Sequence, residues 1–413
     1  MIEPLNPSAG FDIAGVWDRS RDYFVRNGDV FVGWTSKSVV VNALKTQFDP
    51  TRYAALDWTY QPPTPGSNNG AYDGITFDIA AQIGALFKAN GPTSPLHGYR
   101  VERVFEAGFS QDGSFTFTQA NSLHALERMP QTGNDIYDGY VPMGTNGPSN
   151  IDFGLTPAGA LPPADPRHAM QPRDVPVIQA DTETEIFIGT LIPGGLAYRR
   201  PDSDANDDRL RIWEVPGGSH LSNDHRDPAL TLELDGADLA HVPVADIPPL
   251  GCAHLLFQPG PARGVPGVVS PNDYPFAFAQ NAAFQALKLW VEIGLPPAHV
   301  PFIDVDTTTV PARIVRDSSG NATGGLRTPF VDVPVTSYTP FDTVAHVTAS
   351  SGFCILYGFN TPFDDAQLAS LYRNDVDYDV KFALDALRLV KERLWLLPDA
   401  GAAIGRALEV KIP

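Results

Sequence analysis

Residues 101–113 read Val-Glu-Arg-Val-Phe-Glu-Ala-Gly-Phe-Ser-Gln-Asp-Gly. The run 101–107 predicts a strand, Gly108 closes it, and residues 114–128 predict a helix. A serine in a tight strand-to-helix turn is forced outward, so Ser110 would present its Oγ above the carboxyl end of a sheet. Small neighbours let strand and helix approach closely. The backbone N–H of Gln111, at a helix N-terminus, would then face negative charge developing beside the serine. The pattern departs from Gly-x-Ser-x-Gly at its last position. Asp112 stands where glycine is expected, and Gly113 comes one residue late. The plain alternative is a serine N-cap, a role that serine fills well.

Outward from this turn the chain alternates. Residues 30–34, 140–143, 175–179 and 210–215 predict further strands. Residues 72–90 predict a helix, with Ile75, Ile79, Ile83 and Leu86 on one face. Strands separated by helices imply parallel pairing and an α/β sheet. The Pro- and Gly-rich stretches 61–69, 144–172 and 193–208 are too long for simple connections. A helix follows within 273–293, then a β- and turn-like region over 301–350. Residues 364–396 are helical, with Leu368, Leu371 and Tyr372 on one face. The expected organisation is a core over 1–300 with cap or loop insertions near 144–172 and 223–270. Leu255, Leu256 and Phe257 give the second insertion an apolar patch. Residues 301–413 are expected to form an extension packed on the core.

A serine nucleophile needs a base, and the base needs an orienting acid. Where the serine sits on such a turn, the partners follow in the order Ser, Asp/Glu, His. The strand at 175–179 runs into Asp181-Thr-Glu183-Thr-Glu185, expected to be an acidic loop. Glu185 is the expected acid, with Glu183 as the alternative and Asp181 also in range. The base is His220. Strand 210–215 is followed by Pro216-Gly-Gly-Ser-His220, and flexible glycines let the ring reach back over the serine. His225 is the fallback. The remaining histidines read as surface or packing residues.

Composition excludes several classes. The chain has 413 residues, enough for one large domain or two or three smaller ones. With 43% apolar and 19% charged residues it forms a core. Glycine and proline number 36 and 39, so loops are long. A net charge of −19 argues against nucleic acid and against an anionic membrane surface. Cys252 and Cys354 are the two cysteines, too few for a disulfide scaffold or a Cys-based metal cluster, though one bridge is open. No apolar run reaches the ~20 residues of a membrane span. Met1 is followed by Ile-Glu-Pro-Leu-Asn-Pro, without the pattern of a signal peptide, and the compartment stays open. No Gly-x-Gly-x-x-Gly or P-loop pattern occurs, so no nucleotide cofactor is expected. Residues 202–208 resemble the start of a calcium loop, but Asp207 and Trp213 occupy the positions that need Gly and Glu. A solvated acidic loop is expected there instead. Asn321-Ala-Thr is a glycosylation sequon, with no modification expected.

Taken together, LNPSAGFD (5–12), QFDPTRYAAL (47–56), YDGITFDIAAQ (72–82), AGFSQDG (107–113), PVIQADTETEIF (176–187) and WEVPGGSH (213–220) carry a resemblance. It continues downstream through NAAFQALKLWVEIGLPP (281–297) and GNATGGLRTPFVDVPV (320–335). The chain resembles a largely uncharacterised family of α/β-hydrolase-domain proteins with the marks of serine esterases. The resemblance covers most of the chain. It implies an α/β-hydrolase fold, a mostly parallel sheet with helices on both faces, and hydrolysis of an ester or lactone without a cofactor. The family tends to read Glu-Thr-Asp where this chain has Glu183-Thr184-Glu185. It also has roughly a hundred residues ahead of this chain's start, the size of a small domain. On that reading the first two strands are missing, and residues 2–5 form the strand that leads into the oxyanion loop. Pro7 has no N–H, so Asn6 or Ser8 is the expected second donor beside Gln111.

The expected function is therefore a serine hydrolase with the triad Ser110, Glu185 and His220, acting on a small ester or lactone. Other readings are a non-catalytic binding or scaffold protein on the same fold, or an acyltransferase or peptidase using the same residues.

Overall fold

The computed structural model describes residues 1–8, 10–58, 73–149, 161–162, 165–222, 224, 270–341 and 356–413. Among them lie strands β1 (Ile2–Leu5), β2 (Val32–Thr35), β3 (Phe105–Phe109), β4 (Gly139–Met143), β5 (Val177–Thr182), β6 (Ser203–Ala205) and β7 (Asp208–Val215). They form one sheet in the order β2-β1-β3-β4-β5-β7-β6. Strand β1 is parallel to β2 and β3, and β3 is parallel to β4, while β6 and β7 are antiparallel. Helices follow the strands: α1 (Gly15–Asn27), α2 (Ser38–Ala43), α3 (Thr76–Lys88), α4 (Gln111–Thr118) and α5 (Glu183–Leu191). Every residue of β3, β4 and β5 is buried, as in a parallel sheet covered on both faces. The α/β architecture and the mostly parallel sheet are those expected.

The described residues divide into two compact units. The first takes 1–179 and 197–211, and the second takes 180–196 and those described from 212 onward.

In the first unit, α3 forms where its periodicity predicts, but it buries a different face. Phe77, Ala80, Gly84 and Phe87 are buried, whereas Ile75, Ile79 and Ile83 are only half-buried and Leu86 is exposed. Glycine decides the face. A Cβ at Gly84 would lie 2.6 Å from Ile136 Cγ2, so the helix is pressed down at that point. Beside it Phe77 stacks on Phe115 at 4.3 Å, and the Tyr137 hydroxyl donates to Ala80 O at 2.7 Å. The expected acidic loop at 202–208 is a hairpin, with Ala205 paired to Asp208. Arginines hold Asp202, Asp204 and Asp208. Arg211 faces Asp204 at 2.6 Å and Asp202 at 3.7 Å, and Arg200 faces Asp208 at 2.5 Å.

In the second unit, a three-stranded antiparallel sheet joins β8 (Ser270–Pro271), β11 (Thr336–Thr339) and β12 (Phe359–Pro362). Strands β9 (Val305–Asp306) and β10 (Arg313–Ile314) form a separate antiparallel pair. Helix α6 (Ala277–Ile293) buries Phe278, which meets the Trp395 ring edge-on at 5.2 Å. Ile303 and Ala322 pack on Ile186 of α5, so the 301–341 segment is built onto that helix. After α7 (Pro329–Asp332), the helical stretch expected over 364–396 breaks into α8 (Asp365–Leu371) and α9 (Asp375–Lys391), because Asn374 accepts from Asp377 N–H and starts a new helix. Leu368 and Tyr372 are buried as expected, but Leu371 is exposed. Asn321 of the sequon is buried, donating to Thr336 O and accepting from Tyr338 N–H, which leaves its amide out of a glycan's reach.

The insertion expected at 223–270, with Leu255, Leu256 and Phe257, falls almost wholly outside the described residues, as does much of 144–172. His225, Cys252 and Cys354 also fall outside them. No helix among the described residues is long and apolar enough to cross a membrane.

Candidate active site

The serine turn belongs to the first unit. Ser110 joins β3 to α4 at φ 67 and ψ −124. A positive φ at a residue with a Cβ costs about 1–3 kcal/mol and persists only where the surroundings impose it. Here they do. Ser110 N–H donates to Met143 O at 3.0 Å, and Ser114 N–H donates to Ser110 O at 3.0 Å. Asn6 Nδ2 holds the preceding carbonyl, Phe109 O, at 3.1 Å. Two glycines admit the close packing. A Cβ at Gly108 would lie 2.1 Å from Asp112 O, and one at Gly113 would lie 2.0 Å from Met143 O. This explains the late glycine. The tight contact is between α4 and the end of β4, and it falls at position 113. No side chain caps the start of α4. Gln111 N–H is the first of the helical N–H groups that lack an intrahelical acceptor, at the positive end of the helix dipole.

The loop after β1 meets this turn through a side chain. Asn6 N–H donates to Ile13 O at 2.9 Å, and Ser8 N–H donates to Asn6 Oδ1 at 2.9 Å. Both N–H groups considered as oxyanion donors are thus engaged within the loop. Asn6 is buried and braces Phe109, while Ser8 is exposed.

The acid and the histidine belong to the second unit. The expected acidic loop is instead the first turn of α5, which starts directly after β5. Thr182 and Glu185 form a capping box: Glu185 Oε2 accepts from Thr182 N–H at 2.8 Å and from its hydroxyl at 2.6 Å. Its other oxygen, Oε1, lies 2.5 Å from His220 Nδ1. The added methylene relative to aspartate lets one carboxylate cap the helix and reach the ring together. Glu183, the alternative acid, points elsewhere. Its Oε2 accepts from Gly217 N–H at 2.7 Å and its Oε1 from Arg316 at 2.6 Å. Burial pushes the Glu183 carboxyl above the usual range, against the pull of Arg316 and Gly217 N–H. Thr184, which sequence reasoning passed over, accepts from His220 N–H at 2.9 Å. All three residues of 183–185 therefore grip the loop that carries His220. No spacing rule announces this for Thr184, whose hydroxyl is one of many in the chain.

More carboxyls lie buried in the first unit. Asp112 is buried, and among the described residues neither of its oxygens has a hydrogen-bond partner. Burial holds its carboxyl well above the usual range, with Lys37 opposing. Burial also pushes Asp12 up to about 6, opposed by the hydroxyl of Thr35 at 2.6 Å. Elsewhere His124, Asp135 and Asp174 gather in a group that suits a metal by distance alone. His124 Nε2 lies 3.2 Å from Asp174 and 3.5 Å from Asp135, and Nδ1 lies 3.1 Å from the Tyr140 hydroxyl. Arg128 hydrogen-bonds the same Asp135 oxygen, so a guanidinium already supplies the positive charge there. The group is an ion-paired brace.

Ser110, Gln111, Asn6 and Ser8, the residues expected around the serine turn, all lie in the first unit. Of the two candidate acids, Glu185 is the one in contact with His220. A family model described as an alpha/beta hydrolase domain matches residues 1–406. No curated protein and no solved structure matches the chain.

Proposed function

Because the chain belongs to the alpha/beta hydrolase domain family, we propose that it is a serine hydrolase cleaving a small carboxylic ester or lactone through an acyl-enzyme. The observation that carries this reading is the positive φ of Ser110 in a strand-to-helix turn. Strain of this kind, at a polar residue ahead of an uncapped helix start, fits a nucleophile better than an N-cap. The hydrogen bond between Glu185 and His220 Nδ1 adds support, because it is the contact that fixes an imidazole as a base.

In the proposed reaction His220 Nε2 takes the proton of Ser110 Oγ as the oxygen attacks the acyl carbon. Glu185 keeps the Nδ1 proton in place and stabilises the imidazolium. Gln111 N–H donates to the oxyanion, and the Asn6–Ser8 loop provides the second donor once Ser8 N–H leaves Asn6 Oδ1. The tetrahedral intermediate collapses, and His220 gives its proton to the departing alkoxide. Water then attacks the acyl-Ser110, its proton passing to His220 and back to Ser110 as the acid leaves.

Labelling with a fluorophosphonate, followed by mass spectrometry, tests the reading. An adduct on Ser110 that is absent in Ser110→Ala and strongly slowed in His220→Ala is expected. An intact wild-type protein that takes no label at Ser110 and hydrolyses no ester or lactone would sink it.

A further inference from the structure

We infer that the Glu183–Arg316 ion pair is a positioning strut for the His220 loop, which makes the 301–341 segment part of the catalytic apparatus. This rests on the reading of His220 as the base.

The loop from 217 to 220 contains two adjacent glycines, which alone would leave the histidine free to wander. It is instead held at each step. Glu183 Oε2 accepts from Gly217 N–H at 2.7 Å, and Asn272 Nδ2 donates to Gly217 O at 2.8 Å, so this residue is pinned on both sides. Gly217 sits at φ +83, where a Cβ would lie 2.9 Å from Val331 and 3.0 Å from Tyr274. Glu183 N–H donates to Gly218 O at 3.0 Å, and His220 N–H donates to Thr184 Oγ1 at 2.9 Å.

The grip has its outer anchors in the 301–341 segment. Arg316 Nη2 lies 2.6 Å from Glu183 Oε1, and its Nη1 donates to Gly320 O and Tyr338 O. The Thr184 hydroxyl donates to Pro340 O at 2.6 Å. Glu183 is fully buried. A buried carboxylate with a single N–H donor is costly, and an ion pair whose arginine is exposed to water adds little to the stability of a fold. What the pair supplies here is a fixed acceptor for Gly217 N–H. Arg316 fixes Glu183, Glu183 fixes Gly217, and the backbone then carries the ring to Glu185. Misplacement of a base by about 1 Å costs roughly 100-fold in rate.

The test uses the full chain and three variants: Arg316→Met, Arg316→Lys, and Glu183→Gln with Arg316→Met. The first leaves Glu183 buried without its cation. The last keeps an amide oxygen for Gly217 N–H and removes both charges. Readouts are the rate of fluorophosphonate labelling at Ser110, kcat and KM on any ester found to turn over, thermal unfolding, and the proton resonance of the His220 Nδ1–H bonded to Glu185. Arg316→Met is expected to slow labelling and kcat by roughly 10- to 100-fold with KM little changed, and to weaken the Nδ1 proton signal. Arg316→Lys and the double variant are expected to recover much of that loss. Labelling at the wild-type rate in folded Arg316→Met overturns the inference. So does a loss that only tracks the fraction unfolded, or a double variant that folds yet recovers nothing. Should the wild type take no label at Ser110 and hydrolyse no ester or lactone, the hydrolase reading fails and the Nδ1 proton decides the strut alone. Its loss in Arg316→Met keeps the strut, and its persistence removes it.

Discussion

His220 Nδ1 lies 2.5 Å from Glu185 Oε1, while the other oxygen of the same carboxylate accepts from both the N–H and the hydroxyl of Thr182. This double engagement makes Glu185→Gln informative. The two Thr182 donors require an oxygen, so the amide oxygen of Gln turns to them and its NH2 turns to the ring. Nδ1 must then accept, and the proton moves to Nε2, the nitrogen that would receive the serine proton. The expected outcome is a fall in kcat of about 10³- to 10⁴-fold with the capping box and the fold retained. Steady-state kinetics and fluorophosphonate labelling, set beside a thermal melt, measure this. Activity within tenfold of the wild type would remove Glu185 from the scheme.

The φ of 67 at Ser110 gives a second expectation. Ser110→Ala and Ser110→Gly both remove the nucleophile, but only glycine removes the strain. Glycine also makes the unfolded chain more flexible, which offsets part of the gain. Ser110→Gly should therefore be more stable than Ser110→Ala by about 0.5–2 kcal/mol. Urea unfolding of the two inactive variants gives the difference directly. If alanine is as stable as glycine, the turn is not strained and the nucleophile reading loses its main support.

The parts of the site that could be read from sequence are those set by local chemistry. The turn at Gly108–Gly113 follows from a strand, a small residue and a helix in order. His220 follows from a strand and two glycines. What could not be read depends on contacts across long separations. Arg316 reaches Glu183 from 133 residues away, and no periodicity connects them. The buried face of α3 differs from the one its isoleucines predict for a similar reason. Its isoleucines have the right spacing, but Gly84 against Ile136 and Tyr137 decides which side is pressed inward. The acidic run at 202–208 is solvated at its tip as expected, but its hairpin pairing and the arginines that hold it, at 200 and 211, lie partly outside the run and leave no signal within it.

Asp12 carries the last expectation, a dependence of stability on pH. Its folded pKa is raised by burial from 3.8 to about 6. Between these values the unfolded chain has released the proton and the folded chain still holds it. Unfolding stability must then fall as pH rises through this window: the contribution is complete below about pH 4 and gone above about pH 6. Asn at this position keeps an oxygen for the Thr35 hydroxyl and never ionises. Asp12→Asn should therefore gain on the wild type as pH rises, by an amount on the order of 1–3 kcal/mol between about pH 4 and pH 7. Chemical unfolding of both proteins at several pH values tests this. Two stability curves that stay parallel across the window would show that Asp12 ionises in the folded protein as easily as in the unfolded one. Asp112 belongs to the same account, because a charge on Asp12 opposes ionisation of Asp112. In Asp12→Asn that opposition is gone, so the carboxyl two residues after Ser110 should ionise at lower pH than in the wild type.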